Sequence, residues 1–392
     1  MGNGSPSARR VALVHDFLLD LRGAERTFDV ICGAYPDADV FTAVYDRRGT
    51  EGRFSGRDVQ TSYLQRLRPT ARTFRALLPL YPAAMESLDL RGYDLVISSS
   101  SAWAHGVIPD VGAAHLCYCH NPFRYAWNAR EQALDARDPV TRSALRLILH
   151  RWRQWDWIAA QRIDRYIATS ELTRARVRRY YGLESDVLSP PVDTRRFWPA
   201  QDGEIDDHYL VVSELMFHKR IDVAIAAFNR LRLPLVIVGD GPERRRLQRL
   251  AGPTIRFEGR VGDARVAELM RRSRALVVTA AEEFGIAAVE AQASGRPVIA
   301  RAEGGALETV IDGVTGTFFG GPESGSLDDV VTSFDTASIE PAACVAQAAR
   351  FDAERFSDGL RSLVEATLAA PRDGRRQRAS VVRRPGRLRA LP

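Results

Sequence analysis

Apolar residues along the chain fall into two successive series of short runs, separated by stretches with helical spacing. In the first half, residues 11–15, 39–44, 95–98, 115–119 and 166–169 read as strands, and 24–34, 140–163 and 172–181 as helices. The second half restarts with a strand at 209–213, a helix at 221–231, and strands at 235–239, 255–258, 275–279 and 297–300. These later runs lack polar alternation, as expected of parallel strands covered on both faces. Between the halves lies Ser-Pro-Pro-Val-Asp-Thr-Arg-Arg-Phe-Trp-Pro at 189–199, whose adjacent prolines forbid a helix and stiffen an extended link. Strand–helix alternation predicts an α/β chain of two doubly wound, Rossmann-like domains, 1–197 and 198–370. In such folds ligands bind beyond the carboxyl ends of the strands, here in the cleft between domains. A last helix is expected over 351–368, from Phe351, Phe356, Leu360, Leu363, Val364 and Leu368. The tail at 371–392 carries eight arginines with glycine and proline and almost no core, so disorder is expected there.

Length and composition agree with two globular domains: 392 residues, 45% of them hydrophobic. No apolar run approaches the roughly 20 residues of a spanning helix. The short run at 11–15 leads straight into Asp16, so no secretory leader is expected. Four cysteines are too few for a disulfide framework. His115, Cys117, Cys119 and His120 cluster, but without C-x-x-C spacing, and the first three alternate like one face of a strand. Buried thiols in a reducing cytoplasm are therefore expected in preference to a zinc site. Net charge is +6, and Lys219 is the single lysine among 55 basic residues. A composition so biased to arginine weakens any nucleic-acid reading of the tail. It also makes Lys219 informative, because only a need for a compact ammonium resists replacement by arginine.

The segment at 279–300, Thr-Ala-Ala-Glu-Glu-Phe-Gly-Ile-Ala-Ala-Val-Glu-Ala-Gln-Ala-Ser-Gly-Arg-Pro-Val-Ile-Ala, joins a buried strand to a helix that starts near Gly285. The amides of Phe284, Gly285 and Ile286 then point outward, an arrangement that suits a diphosphate. Glu290, one to two turns inside, can accept the hydroxyls of a ribose, and Glu282 those of a sugar. Taken alone, such glutamates are ordinarily complements to a helix dipole.

In context, Glu282-x7-Glu290, then Ala-Ser-Gly-Arg-Pro-Val-Ile-Ala and Gly304-Gly305-Ala-Leu-Glu308, resembles the donor-binding signature of retaining GT-B glycosyltransferases of family 4, also called group 1. The resemblance extends to Val212-Ser-Glu-Leu-Met-Phe-His-Lys-Arg-Ile-Asp, Gly239-Asp-Gly-Pro-Glu243, Phe257-Glu-Gly-Arg-Val261, Gly23-Ala-Glu-Arg26 and Cys119-His-Asn-Pro-Phe-Arg-Tyr-Ala-Trp127. It covers the chain up to about residue 368. The resemblance implies a GT-B fold whose C-terminal helix packs back toward the first domain. It implies a donor site of Gly23, Ala24, Ser213, Lys219, Arg220, Gly239, Arg260, Val261, Glu282, Phe284, Gly285, Ile286 and Glu290. Within it, His120, Glu282 and Lys219 are the catalytic candidates, with Lys219 on the diphosphate and no divalent metal or other cofactor required. It further implies retention of anomeric configuration, by front-face displacement. The variant motifs look most like mannosyltransferases of polysaccharide assembly, which suggests GDP-mannose, with a UDP-sugar as the alternative. A glycan, glycolipid or small molecule would be the acceptor.

One position departs from that pattern. Glu214 stands where the family usually carries a second phosphate-binding arginine. Either Glu214 turns away, or Arg220 or another arginine replaces the contact; Arg22, where a glycine often stands, is one such candidate. Asp37-Ala-Asp39 has the D-x-D form of metal-dependent transferases but follows Tyr35-Pro36 into a strand, and is read as a turn. Residues 64–85, with Arg66, Arg68, Arg72 and Arg75 among apolar side chains, suit an amphipathic surface helix or a peripheral contact with anionic membrane. A sugar-nucleotide 2-epimerase and a catalytically silent nucleotide-sugar scaffold remain as alternative readings.

Overall fold

Both expected βα series are present in the computed structural model, which describes residues 9–371 apart from 72, 136–137, 202 and 323–324. From residue 372 onward, the tail expected to be disordered lies outside the described residues. The first domain runs β1 (Val11–His15), α1 (Gly23–Ala34), β2 (Asp39–Thr42), β3 (Val59–Thr61), α2 (Tyr81–Glu86), β4 (Leu95–Ser100) and β5 (Ala114–Cys119). It continues through α3 (Arg130–Asp135), α4 (Pro139–Ala160), β6 (Arg165–Ala168), α5 (Glu171–Tyr181) and β7 (Ser185–Val187). Among the described residues its seven strands are parallel, in the order β3-β2-β1-β4-β5-β6-β7.

The second domain opens with β8 (Tyr209–Val212), α6 (Ile221–Leu231), β9 (Leu235–Val238), α7 (Arg244–Leu250), β10 (Ile255–Gly259) and α8 (Asp263–Arg272). It continues with β11 (Leu276–Val278), α9 (Ile286–Ala293), β12 (Val298–Arg301), α10 (Ala306–Thr309) and β13 (Gly316–Phe319). Helices α11 (Leu327–Ser333), α12 (Pro341–Ala348) and α13 (Ala353–Ala369) complete the chain. Its parallel sheet has the order β10-β9-β8-β11-β12-β13. In each sheet the order reverses beside the first strand, between β1 and β4 and between β8 and β11. Loops leaving those strands diverge to opposite faces and open a crevice at the sheet's carboxyl edge. The edge strands β3, β7 and β13 were not expected from the pattern, because three or four partly exposed residues make no apolar run.

Buried, nearly continuous apolar strands make the cores. β4 and β5 are buried at every position, so every side chain on either face is out of water, the condition for a sheet covered by helices on both sides. Helix α13 crosses back: Phe356, Leu360 and Val364 enter the cluster formed by Leu13, Phe28, Ile97 and Tyr118 of the first domain. The 3₁₀ turn that precedes α13, Ala349–Phe351, is pinned to the link by the Val192 amide, which donates to the Phe351 carbonyl at 2.8 Å. Thus the second-domain limit at residue 370 encloses a helix whose buried face belongs to the first domain's core.

Residues 64–85 do not form the expected amphipathic helix. Two 3₁₀ turns, Tyr63–Leu67 and Phe74–Leu80, precede the short α2. Pro69, Pro79 and Pro82 interrupt the i→i−4 ladder. Leu64, Phe74, Tyr81, Ala84 and Met85 are buried in the first-domain core, which leaves Tyr63, Leu67 and Leu80 outside. Arg72 lies outside the described residues. Among the described residues no helix is long and apolar enough to cross a membrane.

Candidate functional site

The loops leaving β1, β4 and β5 of one sheet and β8, β9, β10 and β11 of the other face each other across a cleft of about 760 Å³. Gly23, Ala24 and His120 line it from the first domain; Ser213, Lys219, Gly239, Arg260, Val261, Glu282, Phe284, Gly285 and Ile286 line it from the second. All of these were singled out in the sequence. Two others lie elsewhere. Arg220, in a left-handed turn, points to Asp222 at 3.5 Å and does not line the cleft. Glu290 sits one turn beyond Ile286 on α9, half-buried and not among the residues that line the cleft, in the field of Arg196 and Arg26. Burial pushes its carboxyl up to about 7, against those two guanidinium groups.

Each second-domain side chain is held by its local fold. Lys219 ends a short turn after β8; its carbonyl accepts the Thr279 hydroxyl at 2.8 Å, which ties this turn to the end of β11. Its ammonium donates to Glu282 Oε1 at 2.9 Å. Gly285 caps α9 in the left-handed region (φ +90), without a side-chain cap; the Ala288 amide turns back to the Gly285 carbonyl at 3.0 Å, which leaves the Ile286 and Ala287 amides for a ligand. The Gly304-Gly305 pair braces this loop from behind. A Cβ on Gly305 would lie 2.2 Å from the Phe284 backbone, and the Gly305 amide donates to the Glu282 carbonyl at 2.9 Å. No residue with a side chain fits there.

Across the cleft the domains are joined by ion pairs. Arg124 of the first domain grips Glu283 through both carboxylate oxygens at 2.9 and 3.0 Å, and Arg176 reaches the same group at 2.9 Å. Burial raises the Glu283 pKa, but Arg124 and Arg176 outweigh it and hold the carboxyl below its usual range. Arg124 also donates to His218 Nε2 at 2.9 Å. A guanidinium has only donors, so His218 carries its proton on Nδ1 and stays neutral. Burial and Arg124 accordingly pull its pKa down to about 4. Asp20 pairs with Arg260 at 2.7 Å, and Arg22 lies between Asp20 (3.3 Å) and Glu214 (3.2 Å). Arg260 is 61% exposed, so its bridge contributes at most about 1 kcal/mol. The half-buried Glu283 cluster is the stronger tie, since removing one partner of such a group costs roughly 3 kcal/mol.

Glu283, Arg176 and Asp20 were missed by sequence reasoning. Their cross-cleft partners lie more than 100 residues away, and nothing local to any of them marks that pairing. Glu214 does not turn away; it meets Arg22, the residue the sequence offered as a replacement cation.

The candidate metal motifs do other work. Asp39 begins β2 and accepts the Tyr93 hydroxyl at 2.6 Å, and Asp37 lies in the preceding turn, at the strand edge opposite the cleft. His115 bonds Ser98 at 2.9 Å, and all four cysteines are free and buried, with the Cys117 and Cys119 thiol pKa values pushed up by burial. Among the described residues no group of three His, Cys, Asp or Glu is arranged to hold a metal ion.

Comparison with known proteins gives matches in both halves. Residues 196–351 match the family model for glycosyl transferases group 1, and residues 21–196 that for glycosyltransferase family 4. A GDP-mannose-dependent alpha-(1-6)-phosphatidylinositol monomannoside mannosyltransferase of Mycolicibacterium smegmatis is 31% identical over 52% of this chain and 57% of its own length. A D-inositol 3-phosphate glycosyltransferase of Streptomyces scabiei is 28% identical over 55% of this chain and 56% of its own. The matched region thus spans little more than half of these curated relatives. Among solved structures, the sucrose-phosphate synthase of Thermosynechococcus elongatus aligns with a TM-score of 0.71 at 20% identity, covering 93% of this chain and all of that one. HepE of Anabaena, in complex with UDP-glucose, aligns with a TM-score of 0.66 at 20% identity, covering 91% and 99%. These likenesses show the GT-B fold.

Proposed function

The chain belongs to the group 1, family 4 glycosyltransferases, and from that premise we propose that it transfers a hexose from a nucleotide sugar to a hydroxyl acceptor. The observation that carries this reading is the Lys219–Glu282 pair at the mouth of the second sheet, beside the uncapped first turn of α9 and across the cleft from His120. A donor diphosphate would take over Lys219 and the α9 amides, and the sugar's hydroxyls would take over Glu282. We favour mannose from GDP-mannose, since the Mycolicibacterium relative is GDP-mannose-dependent. UDP-sugars are the alternative, since HepE binds UDP-glucose.

The reaction we propose is a front-face displacement with retention. The bond from the anomeric carbon to the diphosphate breaks. A bond to the acceptor oxygen forms on the same face, and the acceptor's proton passes to the leaving phosphate oxygen. Every carboxylate lining the cleft is engaged with a cation: Asp20, Glu214, Asp240, Glu282 and Glu283. That pairing favours a mechanism without a carboxylate nucleophile. Lys219 and the α9 amides supply the electrostatic stabilisation of the departing group in place of a metal. The acceptor, a glycan, glycolipid or small molecule, would enter along Phe17, Phe74, Arg75, Leu78 and Tyr125 of the first domain. Exposed Tyr63 and Leu67 beside Arg66 and Arg68 support a peripheral contact with anionic membrane.

The test pairs thermal-shift screening against GDP, UDP and their sugars with an assay for new glycosidic product. Selective stabilisation by one nucleotide sugar and chelator-resistant transfer are expected; stabilisation by none would overturn the reading.

Arg22 and Glu214 make a separate prediction. Arg22 stands at the cleft, 43% exposed, where it can leave Glu214 for a phosphate. Arg22→Ala should weaken nucleoside diphosphate binding about tenfold, the scale of one lost charged contact. Glu214→Ala should strengthen it by removing the competitor. Calorimetric titration reads both, and equal affinities would exclude Arg22 from the phosphate site.

Glu290 predicts a pH dependence. Glu290 does not itself line the cleft but stands one turn beyond Ile286, so as a carboxylate it would accept the hydroxyls of a ribose that reaches past that residue; protonated, it loses acceptor capacity. With its pKa near 7, nucleotide affinity should rise as pH climbs from 6 to 8, by up to about tenfold. Glu290→Gln should flatten that slope. The stability sign is the reverse. Between the ordinary carboxyl range and about 7, the fold retains a proton that the unfolded chain has lost, so this group's contribution declines as pH rises.

A further inference from the structure

Behind His120 runs a chain of polar groups that the transfer reaction does not itself use. His120 Nε2 lies 2.9 Å from Ser99 Oγ, Ser99 Oγ lies 3.1 Å from His15 Nδ1, and His15 Nε2 lies 3.9 Å from Glu25 Oε1. The groups come from β5's end, β4, β1 and α1, and His15, Ser99 and Glu25 are each at most 5% exposed. The His15 ring is fixed by stacking on Phe28 at 4.8 Å. Glu25 is fixed by the Arg22 amide, which donates to its other oxygen at 3.0 Å. Two buried imidazoles and a carboxylate so placed have few ways to share protons.

A serine hydroxyl has one hydrogen to donate. Ser99 touches one nitrogen of each histidine, so it can donate to only one of them and must accept from the other if both contacts are hydrogen bonds to one bare nitrogen and one N–H. Geometry at Ser99 alone leaves the direction open, and Glu25 decides it. A carboxylate facing His15 Nε2 favours the proton on that nitrogen, which leaves His15 Nδ1 bare, as the partner of one ring nitrogen sets the state of the other. Ser99 then donates to His15 and accepts from His120 Nε2–H. His120 Nδ1, which no described residue hydrogen-bonds, is left facing the cleft without a proton.

We propose that Glu25, His15 and Ser99 are positioning residues that set the tautomer of His120, so that the cleft meets a bare Nδ1, a hydrogen-bond acceptor. That this acceptor receives a hydroxyl of the transferring sugar rests on the glycosyl-transfer reading; the tautomer itself does not. Burial holds His120 neutral, with its pKa pulled down to about 3, so the choice is between two neutral forms.

The test is the ¹⁵N spectrum of the histidine rings in the full chain, without donor or acceptor, with His120 assigned from the signals lost in His120→Asn. The native protein should show protonated Nε2 and bare Nδ1. His15→Phe keeps an aromatic ring on Phe28 and frees the Ser99 hydroxyl to donate to His120, so the proton should move to Nδ1. Glu25→Gln, which leaves the ring stack untouched, should give a mixture of the two forms. A native Nδ1–H tautomer, or an unchanged tautomer in both folded variants, overturns the relay. Because no substrate is involved, failure of glycosyl transfer would overturn the functional reading and leave this result standing.

Discussion

Replacing Lys219 with alanine is expected to lower the turnover of glycosyl transfer about a hundredfold or more, the usual scale for losing one group that stabilises transition-state charge. The expectation comes from position as much as from charge. Lys219 is 20% exposed, its carbonyl is tied to Thr279, and its ammonium is already directed at Glu282 in the cleft. Charge grows on the leaving diphosphate as the glycosidic bond breaks, so an ammonium at that spot acts more strongly on the transition state than on the bound donor. Turnover should therefore fall further than donor affinity. Lys219→Arg should recover little, because a planar fork cannot occupy the space of a compact ammonium beside Glu282. Steady-state kinetics of both variants, with melting temperature as the control for folding, would measure this. An unchanged turnover in Lys219→Ala would remove Lys219 from the mechanism.

Asp16→Ala is expected to give the largest loss of stability. Asp16 leaves β1 fully buried and accepts the backbone amides of Ser101 (2.6 Å), Ala102 (3.1 Å), Trp103 (2.6 Å) and Ala104 (2.6 Å). An ionised carboxylate is acceptor-only with about four lone-pair sites, and all four are filled here. Alanine would leave four donors without their partner, three of them buried. At about 1 kcal/mol or more for each, the loss is about 4 kcal/mol or more. For domains of this size that lowers the melting temperature by about 10 °C. Asparagine should rescue only part of it, because its NH₂ would face two of the donors. The same turn places Ser101, Ala102 and Trp103 on the cleft wall, so transfer should weaken along with stability. Differential scanning calorimetry is the measurement; a change of less than about 2 °C would show that the turn at 101–104 stands without Asp16.

Legibility in the sequence followed locality. The helix at Ile221–Leu231 and the strand at Val11–His15 form as read, because a helix or a buried strand is announced by the period of its own side chains. The same holds for the cleft residues around Glu282 and Lys219, which sit at the ends of recognisable strands, where a parallel sheet must present its ligand site. Strands β3, β7 and β13 were not legible, since edge strands this short carry no pattern of their own. The 64–85 segment misled because its apolar and basic residues have the right mixture for a surface helix, while its prolines forbid one and the core takes its large side chains.

The sequence by itself determined two doubly wound domains and the strand ends at which Glu282 and Lys219 stand. Each of these is announced by the pattern of side chains within one βα unit, before any unit meets another. Only the tertiary structure decided how charge is distributed across the cleft. Arg22 meets Glu214, 192 residues away, Arg124 and Arg176 meet Glu283, and Glu25 reaches His120 through His15 and Ser99. Charge pairs of this kind leave no periodicity in the chain. The pairs across the cleft exist only once both sheets have folded and face each other, and the Glu25–His120 chain only once β1, β4 and β5 lie side by side.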